Sequence, residues 1–399
     1  MPDAPPKAAP TDVLRGRDIL CFSSDWNGDP LSKTHVMRLL ARENRVLWVN
    51  SIGYRRPTAS KADASRAWKK LTAAASPIRE VEPNLFVLSP LVVPIYDKPA
   101  IRSLNRRLLG AQVKRAMRRL KFRRPINYTF IPSASLVAGD FNEELLIYHC
   151  VDEYSAFTGV AAKALAIEEE GLVRRSDLVV VSSELLLQSK TEFNPHTVLV
   201  RHGVDFEHFR KSLDPATVVP ASIANLPRPV IGFYGLIADW VDVEMMAAVA
   251  DQYPNGSLVV LGKVTTDVSE LSRRPNCHLL GRVPYADLPA YSKGFDVALN
   301  PFRINELTLN SNPLKVREYL ASGLQVVSTA IPEVEVLKQC RIGVDRASFL
   351  HEVDEALKDP GPSRERSESI REESWQARLD EIRSHLTDVV VENQRNGKP

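Results

Sequence analysis

The stretch NPFRINELTLNSNPLKVREYLASGLQVVST, residues 300–329, concentrates the residue types from which a phosphate site is built. It reads as a strand end, a polar loop, a helix and a second buried strand. Asn312 is a candidate N-cap, Pro313 suits the first helical position and Gly323 suits the exit. Lys315 then falls in the first turn, where the helix dipole disfavours a cation by about 0.3–1 kcal/mol. A bound anion reverses that sign, because N–H groups at a helix start plus one lysine make a phosphate site. Glu318, three residues on, would reach the group beyond the phosphates, and carboxylates of this kind grip ribose hydroxyls. The same spacing also describes an ordinary surface ion pair worth about 0.2–0.5 kcal/mol.

Further candidates lie where a nucleotide would need them. Gly232 and Gly235 bracket the end of the apolar run IGFYG, and a glycine there lets the following loop approach a diphosphate without a Cβ in the way. Lys263 follows the run SLVVLG, which puts a second cation at the carboxyl edge of the same sheet, or simply a solvated loop lysine. Arg282 and Val283, in the turn GRVP, offer main-chain groups to a base edge.

Positioning these groups requires a sheet with crossover helices. Short Val-, Ile- and Phe-rich runs recur between longer amphipathic segments, the pattern of parallel strands buried on both faces. Strands are expected at 18–23, 45–49, 85–88, 125–131, 145–148, 178–182 and 198–200, and the pattern restarts at 230–234, 257–261, 278–280, 297–300 and 325–328. That makes two sheets, hence two domains. The expected division is a flexible tail (1–14), a first domain (15–210), a proline-bearing linker (211–229), a second domain (230–358), a polar linker (359–372) and a C-terminal helix and tail (373–399). In that last helix Trp375, Leu379, Ile382 and Leu386 recur at helical spacing, so it needs a partner surface.

Composition limits the function classes. The chain of 399 residues is 44% apolar and 25% charged, enough for two globular cores. Its four cysteines, Cys21, Cys150, Cys277 and Cys340, form no CxxC pair, which suggests neither a disulfide framework nor a zinc site. No DxD motif and no ligand-spaced cluster is visible, so no metal and no cofactor is expected. No signal peptide and no apolar run of about 20 residues is present, and a cytoplasmic protein is expected. By count, residues 1–205 carry about +8 and the remainder about −5. Much of the positive charge lies between Arg102 and Arg124, with about ten basic residues and no acid beside Leu104, Leu108, Val113, Met117 and Leu120 at near-helical spacing. An anionic membrane surface is the expected partner, ahead of a plain solvated face. Nucleic acid is not expected, since no recognition motif accompanies the charge.

Three ordered segments resemble the retaining glycosyltransferases of family 4, which have two facing Rossmann-like domains of the GT-B type. HLLGRVPYADLPAYSKGFDVALNPF is similar to that family's base-receiving unit, NPLKVREYLASGLQVVST to its signature helix and strand, and RHGVDFEHF (201–209) to its hinge. The resemblance implies an α/β fold whose C-terminal helix returns toward the N-terminal domain. It implies a nucleoside-diphosphate sugar as donor, with Gly235, Lys263, Arg282, Val283, Asn310, Pro313, Leu314, Lys315 and Glu318 around it. Glu318 matches the second glutamate of the family's E-x7-E motif, whereas Asn310 stands where the first would be. The loop FSSDWNGDPLSKTH resembles the acceptor-side loop, making Asp25, Trp26 and Ser32 acceptor contacts. LLIYHCVDEYSAF resembles the strand facing the reacting sugar, with Asp152 catalytic alongside Lys315 and Glu318, and His149 either acceptor-side or a hydrogen-bonded core residue.

The expected activity is metal-independent, retaining transfer of a sugar to a lipid-linked or polysaccharide acceptor, held near the inner face of the cytoplasmic membrane. An epimerase on the same plan, or a catalytically silent binding member, are the alternatives.

Overall fold

A computed structural model describes residues 12–51, 78–93 and 99–395. The first sheet has eight strands in the order β3-β4-β2-β1-β5-β6-β7-β8. These are β1 (Asp18–Ser23), β2 (Arg45–Asn50), β3 (Arg79–Glu82), β4 (Leu85–Leu88), β5 (Ile126–Thr129), β6 (Leu145–Cys150), β7 (Leu178–Val181) and β8 (Thr197–Leu199). All pair in parallel except β3 with β4. Parallel pairing needs crossovers, and the longer helices α1 (Ser32–Ala41), α2 (Pro99–Leu120), α3 (Ala162–Arg175) and α4 (Glu184–Thr191) supply several of them. Apolar residues of both sheet faces are buried, as in Leu20 and Cys21 of β1, which is why these strands read as continuous apolar runs. The edge strand β3, REVE, carries no such signal, because it is exposed or only half-buried.

The second sheet has six strands, all parallel, in the order β11-β10-β9-β12-β13-β14. They are β9 (Val230–Tyr234), β10 (Ser257–Leu261), β11 (Cys277–Gly281), β12 (Val297–Asn300), β13 (Gln325–Thr329) and β14 (Arg341–Gly343). Helices α5 (Val243–Gln252), α6 (Leu288–Gly294), α7 (Leu314–Ala321) and α8 (Arg346–Ala356) pack around it. In each sheet the order reverses beside the first strand, β1 or β9. Open α/β sheets bind ligands at the carboxyl ends of strands near such a switch point. This is the GT-B plan of two facing Rossmann-like domains.

The last helix, α9 (Trp375–Arg395), returns to the first domain. Trp375, Leu379, Ile382, Leu386 and Val389 are buried in the same cluster as Val36, Met37 and Leu40 of α1. The chain crosses between domains twice, side by side: Val204 pairs with Ser374 in an isolated parallel bridge, and Val204 N–H donates to the Glu373 carbonyl at 2.8 Å. Gly203 permits this contact, since a Cβ there would lie 2.7 Å from the Trp375 nitrogen. Crossing therefore occurs before the segment 211–229. That segment packs on the second domain instead: Ile223 is buried in the second core and Ser212 Oγ donates to the Ser322 carbonyl at 2.8 Å. Prolines give it the look of a linker, and packing rather than periodicity holds it.

Candidate functional site

A cleft of about 650 Å³ opens between the domains. Its second-domain wall carries the start of α7. Pro313, with extended backbone, is the residue that caps the helix, and no side chain caps the first turn. Asn312 does not fill the capping position expected of it. Its amide donates to the Ser182 carbonyl at 2.8 Å and its Oδ1 accepts from buried Arg317 at 2.5 Å, a network that ties α7 to the first domain. Val316 N–H turns to the Pro313 carbonyl at 3.3 Å, and no side chain caps the N–H groups of Leu314 and Lys315 before it, as an anion site requires.

Lys315 stands beside them. Its Nζ lies 4.4 Å from the Phe233 ring centroid and 4.6 Å from that of Phe302. Burial lowers its pKa to about 7, against the opposing pull of Glu318. Glu318 is recessed on the same wall, and burial raises its carboxyl to about 7, with Tyr234 and Lys315 working the other way. An incoming diphosphate would recharge the lysine. Gly235 (φ +134°) leaves room for it, since a Cβ there would come within 2.9 Å of Nζ. Gly232 has a different task from the one its spacing suggests: the Phe295 ring fills the space of its missing side chain and would overlap a Cβ there. It packs the core and does not face a ligand.

Lys263, Arg282, Val283, Pro313 and Leu314 also line this wall. Arg282 already has a partner across the gap, donating through Nη2 to Asp29 Oδ1 at 2.6 Å. Asn310 does not line the cleft: its side chain turns back to the Glu306 carbonyl at 2.8 Å, and its own carbonyl accepts from Ser183 Oγ. Leu307, Thr308 and Ser311 border the cleft in its place.

On the first-domain wall the structure brings together Asp25, Ser32 and Asp152. Burial raises the Asp152 carboxyl to about 6, countered by the positive charge of Lys33. Lys33, in the first turn of α1, also lines the cleft; nothing in the sequence singles it out, where it reads as one helical lysine among several. The loop bearing Asp152 is held by Lys190, which bonds Glu153 at 3.1 Å and Glu169 at 2.8 Å. Trp26, an expected acceptor contact, lies elsewhere, and of the two readings open for His149 the core one holds. Trp26 packs edge-on against Trp48 at 5.0 Å under the Arg38 guanidinium. His149 is a core residue, its Nδ1 3.0 Å from the Tyr128 hydroxyl and its ring stacked on Phe130. Burial drops its pKa to about 3, so it is neutral there.

This geometry has counterparts. Residues 228–359 match the family Glycosyl transferases group 1. The match covers most of the second domain. TuaH of Bacillus subtilis (strain 168), named for a glycosyltransferase role in teichuronic acid biosynthesis, is 27% identical over 228 residues, 53% of this chain. The match spans 57% of TuaH's own length. Among solved structures, sucrose-phosphate synthase from Thermosynechococcus elongatus superposes with a TM-score of 0.66 at 14% identity, covering 94% of this chain and 99% of that one. Anabaena HepE, solved in complex with UDP-glucose, superposes at 0.59 and 14% identity, over 95% and 97% of the two chains. At such identities these structures establish the fold alone, two facing Rossmann-like domains of the GT-B type.

Proposed function

We propose that the chain moves a hexosyl group from a nucleoside-diphosphate sugar to a lipid-linked or polysaccharide acceptor, with retention and without metal. The observation that carries this is the uncapped start of α7 with Lys315 and Glu318, facing Asp152 across one cleft. The bond from the sugar's anomeric carbon to the diphosphate breaks as the bond to the acceptor oxygen forms. Negative charge gathers on the departing phosphate oxygen, where Lys315 and the helix N–H groups stabilise it. Lys263 adds a second cation at the strand edge. Glu318 grips the ribose, and Asp152, ionised above about pH 6, receives the acceptor hydroxyl's hydrogen bond. HepE's complexes with UDP and UDP-glucose support the donor class, and retention rests on the family resemblance alone.

The acceptor reading is supported by the exposed face of α2. Leu104 and Leu108 are 45% and 38% exposed there, beside exposed Arg107, Arg115, Arg118 and Arg119, whereas Arg102 and Arg106 are engaged with Glu168 and Asp140. Such a face suits peripheral attachment to an anionic membrane on its cytoplasmic side, each basic residue contributing about 1 kcal/mol. Among the described residues no helix is long and apolar enough to cross a membrane.

The test incubates the protein with a panel of nucleotide sugars, with and without bacterial membrane lipid extract. Acceptor-dependent release of nucleoside diphosphate is expected. Isomerised sugar, or binding without turnover, would replace the transferase reading by an epimerase or a silent binding protein.

A further inference from the structure

The mechanism above draws on groups from both domains: Asp152 from the first and the start of α7 from the second. A misplacement of about 1 Å between such groups costs about 100-fold in rate, so their register must be held by something stiffer than two crossing segments of chain. One residue touches both sides. Ser182, fully buried just past the end of β7, donates through Oγ to the Val151 carbonyl at 3.0 Å, immediately before Asp152. Its own carbonyl accepts from Asn312 Nδ2 at 2.8 Å, immediately before Pro313. Two hydrogen bonds therefore join the loop of the acid to the helix of the anion site.

Neighbouring contacts stiffen this junction. Asn312 is buried, its Oδ1 accepts from Arg317, and its carbonyl lies 2.8 Å from His202 Nδ1. A carbonyl only accepts, so that ring nitrogen carries the proton, and burial drops the His202 pKa to about 3, which keeps the ring neutral. Ser183 Oγ donates to the Asn310 carbonyl at 2.8 Å. Glu333 of the second domain accepts from the Glu184 N–H at the start of α4 at 2.8 Å and from Arg201 at 2.7 Å. Ser182, Ser183, Asn312 and Glu333 are all buried, so a hydrogen bond lost there is not replaced by one to water.

We propose that Ser182 and Asn312 are positioning residues that hold Asp152 in register with the anion site at the start of α7, so that the two domains present acid and leaving group at one fixed separation. The inference rests on the transferase reading given above and adds the part that couples its two halves. Asn312 borders the cleft, but Ser182 is sealed from it and cannot act by touching a ligand.

The full chain and its Ser182→Ala, Asn312→Ala and double variants, titrated calorimetrically with UDP, GDP and ADP, test it. Nucleotide release is followed alongside, with UDP-, GDP- and ADP-hexoses and bacterial membrane lipid extract. Each single change should lower turnover at saturating donor by at least about ten-fold and leave the nucleotide dissociation constant within about three-fold. The double variant should be no more than about two-fold slower than the slower single one, because either change breaks the same path. Should Asn312→Ala fail to fold, Asn312→Asp keeps the size and the bond to Arg317 and removes the amide donor. Losses that multiply in the double variant, undiminished turnover in both singles, or a loss of nucleotide affinity equal to the loss of turnover overturn the inference and leave the donor site standing. No nucleotide binding, or binding without release, in the unaltered protein overturns the transferase reading itself.

Discussion

Lys315 and Glu318 meet in the cleft with pKa values both near 7, each displaced by burial from opposite directions. A diphosphate raises the lysine's pKa again, so at pH 8 donor binding should take up a proton. Titrating UDP in buffers of different ionisation heat reads that uptake, and Lys315→Met should abolish it. The sign for stability comes from Glu318. Its folded pKa lies above the unfolded one, so its contribution is fully present below pH 4.5 and is lost as pH rises to about 7. Glu318→Gln should therefore raise the melting temperature relative to the unaltered protein at pH 8 more than at pH 5. The difference should be on the order of 1–3 kcal/mol, with transfer activity abolished. A melting shift independent of pH would show that the carboxyl is not strained in this way. The glycines diverge at this scale too. Gly232→Ala should cost stability, about 1–3 kcal/mol by overpacking against Phe295, whereas Gly235→Ala should act mainly on donor affinity through Lys315.

Among the elements, α7 and α9 are the ones most plainly written in the sequence. The Pro313 start and Gly323 exit of α7 and the Trp375, Leu379, Ile382, Leu386 stripe of α9 are local patterns, and a helix obeys them because its period is fixed by its own hydrogen bonds. The cap of α7 is not legible there. Asn312 is a competent cap by type, but Ser182 and Arg317, both brought by tertiary packing, compete for its amide. The stripe of α9 announces a need for a partner, and α1 meets it. Gly203→Ala should disturb this docking, because its Cβ meets the Trp375 backbone. A fall in melting temperature of several degrees is expected, with loss of cooperativity between the domains by calorimetry. Unchanged melting would mean that the second crossing can shift without loss.

At the scale of the molecule, the domains touch beside the cleft as well as through the Asn312 network. Arg282 pairs with Asp29, and Thr158 Oγ1 donates to Asp239 at 2.5 Å beside Phe157 packed edge-on to Trp240. Exposed pairs of the first kind contribute little to stability, about 0–1 kcal/mol, so their loss should loosen closure without unfolding the protein. Asp29→Ala is expected to leave the melting temperature within a degree or two and to increase donor hydrolysis in the absence of acceptor, as water enters a cleft that closes less well. Nucleotide release without acceptor measures it, and an unchanged rate would assign closure to the other contacts between the domains.

Two parallel sheets, most of their strands, the helix that starts beyond Pro313 and the place of Asp152 just past the end of its strand can all be read from the chain before it folds. These properties depend on residue type and short spacing, which the chain carries locally. Who faces whom is a matter of packing. Trp26 packs against the first core, Asn310 folds back on the Glu306 carbonyl, and Lys33, Tyr234 and Tyr285 come to the cleft instead. Tyr285 and Glu318 are neighbours at the site although 33 positions separate them in the sequence, and Asp29 meets Arg282 across 253. Contacts at that separation leave no periodic trace, because nothing in a strand or helix repeats over such a length; they exist only once the second domain has folded and, for Asp29 and Arg282, once the two domains face each other.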